Sequence, residues 1–154
     1  MKQSVHSPEK VLNKMMQLCS RKEYCVSEIM QKLKTRDLNE GEQQEIIDYL
    51  IKENFINEAR YAKAYCRDKF RFNKWGKQKI RYGLIQKGIP ESLIREALDE
   101  IPEEEYEQTL QEELQKKMSG LKELPDEEKK VRLLRFASGR GYEQEQVWKI
   151  IDEL

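Results

Sequence analysis

Four prolines and seven glycines in 154 residues leave few places where a helix must break. Histidine is rarer still. His6 is the only one, so no histidine pair exists to ligate a metal or to relay protons. The three cysteines, Cys19, Cys25 and Cys66, form no CxxC spacing and are odd in number. That argues against a disulfide framework and against a zinc site, and leaves them as small apolar thiols. No apolar run approaches the roughly 18 residues of a membrane helix. The first residues, MKQSVHSPEK, lack the apolar core of a secretory signal, so a cytoplasmic protein without membrane contact is expected. No Ser, Thr or Cys has an evident base beside it, and no glycine-rich phosphate loop is present. The many carboxylates fall at the helical spacing of solvated faces. These absences point away from an enzyme and toward a binding or regulatory protein that needs neither cofactor nor metal.

What is present is helix-forming and charged. Apolar and charged residues each make up 38% of the chain, and the mean hydropathy is −0.92. This mixture predicts an all-α protein with extensive solvated faces. The net charge is zero, but its distribution is uneven. Residues 60–87 carry ten Lys or Arg and a single acid, Asp68. Residues 99–128 carry twelve acids and three lysines. The balanced total therefore says little about partners.

Three segments resemble one another: 27–50 (SEIMQKLKTRDLNEGEQQEIIDYL), 78–101 (QKIRYGLIQKGIPESLIREALDEI) and 131–154 (VRLLRFASGRGYEQEQVWKIIDEL). Ile29, Ile80 and Leu133 correspond, as do Leu33, Leu84 and Ala137. A break follows at Asp37, Gly88 and Gly141, and one apolar residue follows each break: Leu38, Ile89, Tyr142. Each segment reads as helix–turn–helix, with Gly88 and Gly141 suited to a left-handed helix end. A further helix precedes each pair, marked by the stripes Val11/Leu12/Met15/Met16, Tyr61/Ala62/Tyr65/Phe72 and Tyr106/Leu110/Leu114/Met118. Ser7 and Asn57 can cap the first two of these helices. The expectation is three tandem three-helix repeats, residues 1–56, 57–101 and 102–154, stacked into an elongated, curved solenoid-like molecule. Each repeat alone is near the lower size limit for independent stability.

The basic segment lies in the second repeat. Arg60, Lys63, Arg67 and Arg71 fall three or four apart on one helix, opposite Tyr61, Ala62 and Tyr65. Lys77 and Arg81 form another such pair on the next helix; Lys69, Lys74, Lys79 and Lys87 complete the set. Each like-charge pair costs about 0.2–0.5 kcal/mol, and few acids nearby in sequence offset it. One sign of charge over such a stretch predicts a polyanionic or acidic partner, contacted by these ten residues. Trp75 could stack on a base, but a place in the junction between helices is the stronger reading, and Phe70, Phe72 and Tyr82 are read as packing residues. The acidic segment is read as a solvated helix with acids near its N-terminus.

At INEARYAKAY, KWGKQKIRYGLIQKGI and RGYEQEQVWKII the chain resembles the RecX family of bacterial regulators of the RecA recombinase. The resemblance rests on Asn57-Glu58, Arg60-Tyr61-Ala62, Gly76, Ile80-Arg81 and Lys87-Gly88-Ile89, and extends from about Val11 to Leu154. Departures are Asn57-Glu58 for two Asp, Gly76-Lys77 for Gly-Pro, Asn54 for a Gly, and Cys25 for a capping Ser, a poor cap that leaves a helix start expected to fray although Glu28 remains at its N3 position. The resemblance implies three tandem three-helix repeats. It also implies a protein that docks along the groove of a RecA–single-stranded-DNA filament and inhibits strand exchange, ATPase and co-protease action on a LexA-type repressor, thereby modulating DNA repair and the SOS response; a monomer is expected. The alternative is a helical protein that binds nucleic acid directly, without a recombinase.

Overall fold

The structure is a computed structural model that describes residues 7–154; His6 lies outside the described residues. These residues form α1 (Pro8–Arg21), α2 (Val26–Lys34), α3 (Glu40–Lys52), α4 (Glu58–Asn73), α5 (Lys77–Gln86), α6 (Glu91–Asp99), α7 (Glu103–Ser119), α8 (Asp126–Gly139) and α9 (Gln144–Ile151). Among the described residues there is no strand, and no helix is long and apolar enough to cross a membrane.

Local chemistry sets the helix ends. The Ser7 and Asn57 side chains accept from the N–H groups of Lys10 and Arg60 at 3.2 and 2.9 Å, satisfying donors that α1 and α4 leave unpaired. At α3 the cap is reciprocal: Asn39 accepts from Glu42 N–H at 2.8 Å, and Glu42 accepts from Asn39 N–H at 3.0 Å. A common turn closes α3, α5 and α8. Gly88 (φ 80°) and Gly141 (φ 96°) adopt the left-handed conformation, and so does Asn54 (φ 63°) after α3. In each case the next residue closes the helix with an N–H bond five residues back: Phe55 to Leu50, Ile89 to Leu84 and Tyr142 to Ala137, at 2.8, 3.1 and 3.1 Å. The apolar residue after the turn thus lands on the final turn of the helix and is drawn into the core, as Ile89 and Tyr142 are.

The core forms in two parts. α1, α2 and α3 pack on one another around Val11, Met15, Ile29, Leu33, Ile46, Ile47, Leu50 and Ile56. A second, larger core runs without interruption through α4–α9, from Tyr61 and Cys66 to Val147 and Ile151; from the first three helices only Cys25, at the start of α2, joins it. Two aromatics depart from the sequence expectation. Phe70 is buried, but Phe72 is 80% exposed and Tyr82 is 64% exposed. Phe72 continues the stripe of Tyr61 and Tyr65 into the last turn of α4, but in that turn it is Phe70 that enters the core, against Tyr106 of α7.

Candidate partner-binding surface

Of the ten cations in the basic segment, six meet carboxylates that are remote in sequence or on another helix. Arg60 Nε lies 2.5 Å from Glu23, and its guanidinium also donates to the Asn54 carbonyl at 3.1 Å. Lys63 pairs with Glu100 at 3.0 Å, Arg71 with Glu105 at 3.6 Å and Lys77 with Glu103 at 3.9 Å. Arg81 pairs with Glu91, and Lys87 with Glu28 at 3.1 Å. The expectation that few acids offset this charge is therefore corrected. The acidic segment folds back along α4, and its Glu100, Glu103 and Glu105 compensate the basic segment within one molecule. The hydrogen bond from Lys63 to Glu100 holds that ammonium above the ordinary lysine range. On the arginine stripe of α4 only Arg67 has no ion-pair or hydrogen-bond partner among the described residues, and it is exposed. It rims a groove of about 150 Å³ floored by Cys66, Phe70, Ala97 and Ile101. Burial pushes the Cys66 thiol up to about 12, so it stays a neutral floor residue.

The remaining cations, Lys69, Lys74 and Lys79, have no carboxylate partner among the described residues. Lys74 (φ 59°) ends α4 in the left-handed conformation, unusual for lysine, and the Trp75 N–H closes on the Lys69 carbonyl at 3.1 Å. Trp75 is half-buried against the core, with the Lys69 and Lys79 ammonium groups 4.9 and 4.7 Å from its ring centre. Trp75 thus packs where the sequence places it, at a junction between helices.

Two junctions hold the three groups of helices in register. At the first, Glu28 on α2 accepts from Cys25 N–H at 3.2 Å, from the Tyr61 hydroxyl at 3.0 Å and from Lys87. Burial alone would raise the Glu28 carboxyl, but these donors together hold it below the usual carboxylate range. Val26 N–H donates to Glu58 at 2.9 Å, and the Ser27 hydroxyl to the Lys87 carbonyl at 2.8 Å. The start of α2, expected to fray for want of a capping Ser, is instead held by two glutamates, one from its own first turn and one from α4.

At the second junction Gly76 N–H donates to the Arg140 carbonyl at 2.7 Å, and Gln78 N–H to the Gly141 carbonyl at 3.0 Å. A Cβ on Gly76 would overlap the Gly141 carbonyl, and one on Gly141 would lie 2.6 Å from Lys79 N. Beside this contact the rings of Phe70, Tyr106 and Tyr142 stack in sequence, with centres 5.7 and 5.2 Å apart. Tyr106 donates to Glu143 at 2.7 Å and accepts from Lys77 N–H at 2.8 Å; Tyr142 donates to the Lys74 carbonyl at 2.8 Å. Burial raises the phenols of both tyrosines well above their ordinary value.

Fold and surface together define a helical-repeat protein whose central module carries paired arginines on one flank and unpaired lysines among aromatics on another. Residues 57–98 match the family described as RecX, second three-helix domain, and residues 103–151 match RecX, third three-helix domain. The regulatory protein RecX of Clostridium acetobutylicum is 34% identical over 131 residues, covering 82% of this chain and 60% of that protein. The regulatory protein RecX of Vibrio parahaemolyticus is 30% identical over 131 residues, covering 85% of this chain and 83% of its own. The crystal structure of RecX from Lactobacillus salivarius shares the fold, with a TM-score of 0.86 over 96% of both chains at 23% identity. The chain belongs to the RecX family of regulatory proteins. It spans about 60% of the length of the clostridial relatives.

Proposed function

We propose that this protein binds the RecA–single-stranded-DNA filament in the cytoplasm and inhibits the recombinase, lowering strand exchange, ATP hydrolysis and co-protease action on a LexA-type repressor. Its action would thereby modulate DNA repair and the SOS response. The reading rests on membership of the RecX family, and a single observation of the surface carries it further. The central repeat keeps Arg67, Lys69, Lys74 and Lys79 free of carboxylates among the described residues, while its other cations are compensated within the chain. Cations left unpaired beside so many available acids suit a partner rich in phosphate or carboxylate. A stack of helical repeats offers the extended surface that a helical polymer presents to its ligands. In this reading the protein has no catalytic step of its own; it acts by occupying the polymer. The test is the single-stranded-DNA-dependent ATPase and strand-exchange activity of RecA with the protein present at stoichiometric amounts in low salt. Inhibition that weakens with salt is expected. Undiminished activity would overturn the proposal.

A further inference from the structure

Two of the lysines without a carboxylate partner, Lys69 and Lys79, converge on Trp75, and Lys79 Nζ also donates to the Gly139 carbonyl at 3.4 Å. Tyr65, Lys69 and Phe72 lie four and three residues apart and so share one flank of α4. Lys69 Nζ stands 5.5 Å from the Tyr65 ring centre and 4.9 Å from that of Trp75, and Lys79 of α5 reaches Trp75 from the other helix. The absence of a side chain at Gly83 lets the Tyr65 ring lie directly across α5, so the flanks of α4 and α5 form one surface. Tyr82 follows Lys79 by three residues on the same side of α5. Two rings on this surface project into solvent, Phe72 at 80% and Tyr82 at 64% exposure.

We infer that this flank, rather than the arginine stripe of α4, is a single-stranded nucleic-acid site. In it Lys69 and Lys79 meet phosphates, and the exposed rings of Phe72 on α4 and Tyr82 on α5 stack on unpaired bases. The inference rests on the filament-binding reading above and narrows it to the strand within the filament. Three observations carry it. First, Arg60, Arg71 and Arg81, whose forks could serve phosphate as well as carboxylate, are already engaged with glutamates; the cations of this flank without a carboxylate are lysines, point charges that serve phosphate contacts without bidentate geometry. Second, a phenylalanine left almost wholly in water beside lysines is what a stacking platform requires, because every base offers a π face. Third, three of the four cations of the arginine stripe are matched by Glu23, Glu100 and Glu105, leaving Arg67 alone; Glu23 also lines the groove beside Tyr65 and Lys69 and opposes a phosphate at that end of the flank. Asp68, the only acid on α4 after Glu58, stands one turn before Phe72 and opposes the same ligand.

The experiment is a fluorescence-anisotropy titration of labelled oligothymidylate, and separately of a duplex, with the full chain at two salt concentrations. Lys69→Gln with Lys79→Gln is expected to weaken oligothymidylate binding about tenfold and to flatten the slope of log K against log salt by about 1.4, about 0.7 for each phosphate left without its lysine. Phe72→Ala is expected to weaken single-strand binding about fivefold or more with the salt slope unchanged, and to leave duplex binding untouched, because paired bases are not free to stack. Asp68→Asn should tighten binding, a gain that misfolding cannot mimic. Arg67→Gln should change little. Wild-type affinity in the lysine and phenylalanine variants, with unchanged circular dichroism, would overturn the inference, as would an equal loss in Arg67→Gln. If the wild-type chain ignores the oligonucleotide yet still inhibits RecA, this inference fails and the filament reading stands. If it binds the oligonucleotide through these residues yet leaves RecA untouched, the inference holds and the filament reading fails.

Discussion

Between α1–α3 and α4–α6 the joining groups are carboxylates and their donors; between α4–α6 and α7–α9, besides the looser ion pairs Arg71–Glu105 and Lys77–Glu103, they are aromatic rings and bare backbone. At the first boundary Glu28, Glu58 and Glu23 reach for N–H groups, a phenol and two cations, and the apolar cores on either side stay separate apart from Cys25. At the second, Gly76 and Gly141 bring two backbones into contact, and one apolar core passes straight across. Apolar burial is non-directional and insensitive to pH, whereas a carboxylate hub depends on its charge and on dry geometry. The second junction should therefore behave as a weld and the first as an articulated clamp. This difference makes α4–α9 the unit that carries the lysine and aromatic flank rigidly, with α1–α3 as the group free to adjust.

The weld can be broken most severely at its glycines. Gly141→Ala combines a left-handed residue with a collision against Lys79 N, so a destabilisation of about 3–5 kcal/mol is expected, from strain at positive φ plus overpacking. Gly88 provides the control. It has the same sign of φ but nothing within 4 Å of a Cβ, so Gly88→Ala should cost about 1–2 kcal/mol, the conformational strain alone. Equal shifts of the thermal midpoint in the two variants would show that the approach of the two backbones contributes nothing. Next in size is Tyr106→Phe, which strands Lys77 N–H and removes a donor from Glu143 while keeping the ring stack; about 2–3 kcal/mol is expected by urea unfolding.

How far these junctions can be read from sequence differs in the same way. Gly141 is legible as a helix end because few other residues accept its φ. Its second role, admitting the α5 backbone, is hidden because the turn already accounts for the glycine. Tyr106 falls on the buried stripe of α7, but its hydroxyl partners, Lys77 N–H and Glu143, lie 29 and 37 residues away, beyond any helical period. The charge pairing is illegible for the same reason. Local counting finds one acid among ten cations in residues 60–87, whereas the neutralising glutamates arrive from farther along the chain, Glu100 once α6 packs on α4 within the second repeat, and Glu23 and Glu105 once the repeats stack. Phe72 misleads the other way: helical spacing aligns it with Tyr61 and Tyr65, but in the last turn of α4 it is Phe70 that meets Tyr106 and is buried. Helical periodicity thus reports what faces inward within one repeat and is silent about what one repeat offers the next.

The clamp should yield to acid while the weld does not. Glu28 titrates below the usual carboxylate value in the folded chain, so its stabilisation is fully present above its unfolded value of 4.5 and fades as pH falls through the lower, folded value. Circular dichroism melts followed downward from neutral pH should therefore separate a first, acid-weakened transition of α1–α3 from the rest. Glu28→Gln should reproduce that weakening at neutral pH, by about 1–2 kcal/mol, and abolish its pH dependence. In alkali both boundaries should weaken together. Tyr61, Tyr106 and Tyr142 all have phenols raised by burial, so their stabilisation is present below the unfolded value of 10.0 and is lost above it as the unfolded chain ionises. A single cooperative acid transition would erase the distinction between clamp and weld.

The smallest expected effect sharpens the comparison within α4 itself. Arg67 and Arg60 lie seven residues apart on one helix face, yet Arg60 bridges to Glu23 and to the Asn54 carbonyl across the first boundary, while Arg67 reaches no such partner among the described residues. Arg67→Ala should leave stability within about 0.5 kcal/mol of wild type, and Arg60→Ala should cost about 1 kcal/mol, because an exposed ion pair contributes little and the carbonyl bond adds to it. A double-mutant cycle of Arg60→Ala with Glu23→Ala should recover about 0.5–1 kcal/mol of coupling, screened away in high salt, whereas Arg67→Ala with Glu23→Ala should be additive. Coupling of equal size in both cycles would mean that the stripe acts as a diffuse field rather than through the one contact that ties α4 to the first repeat.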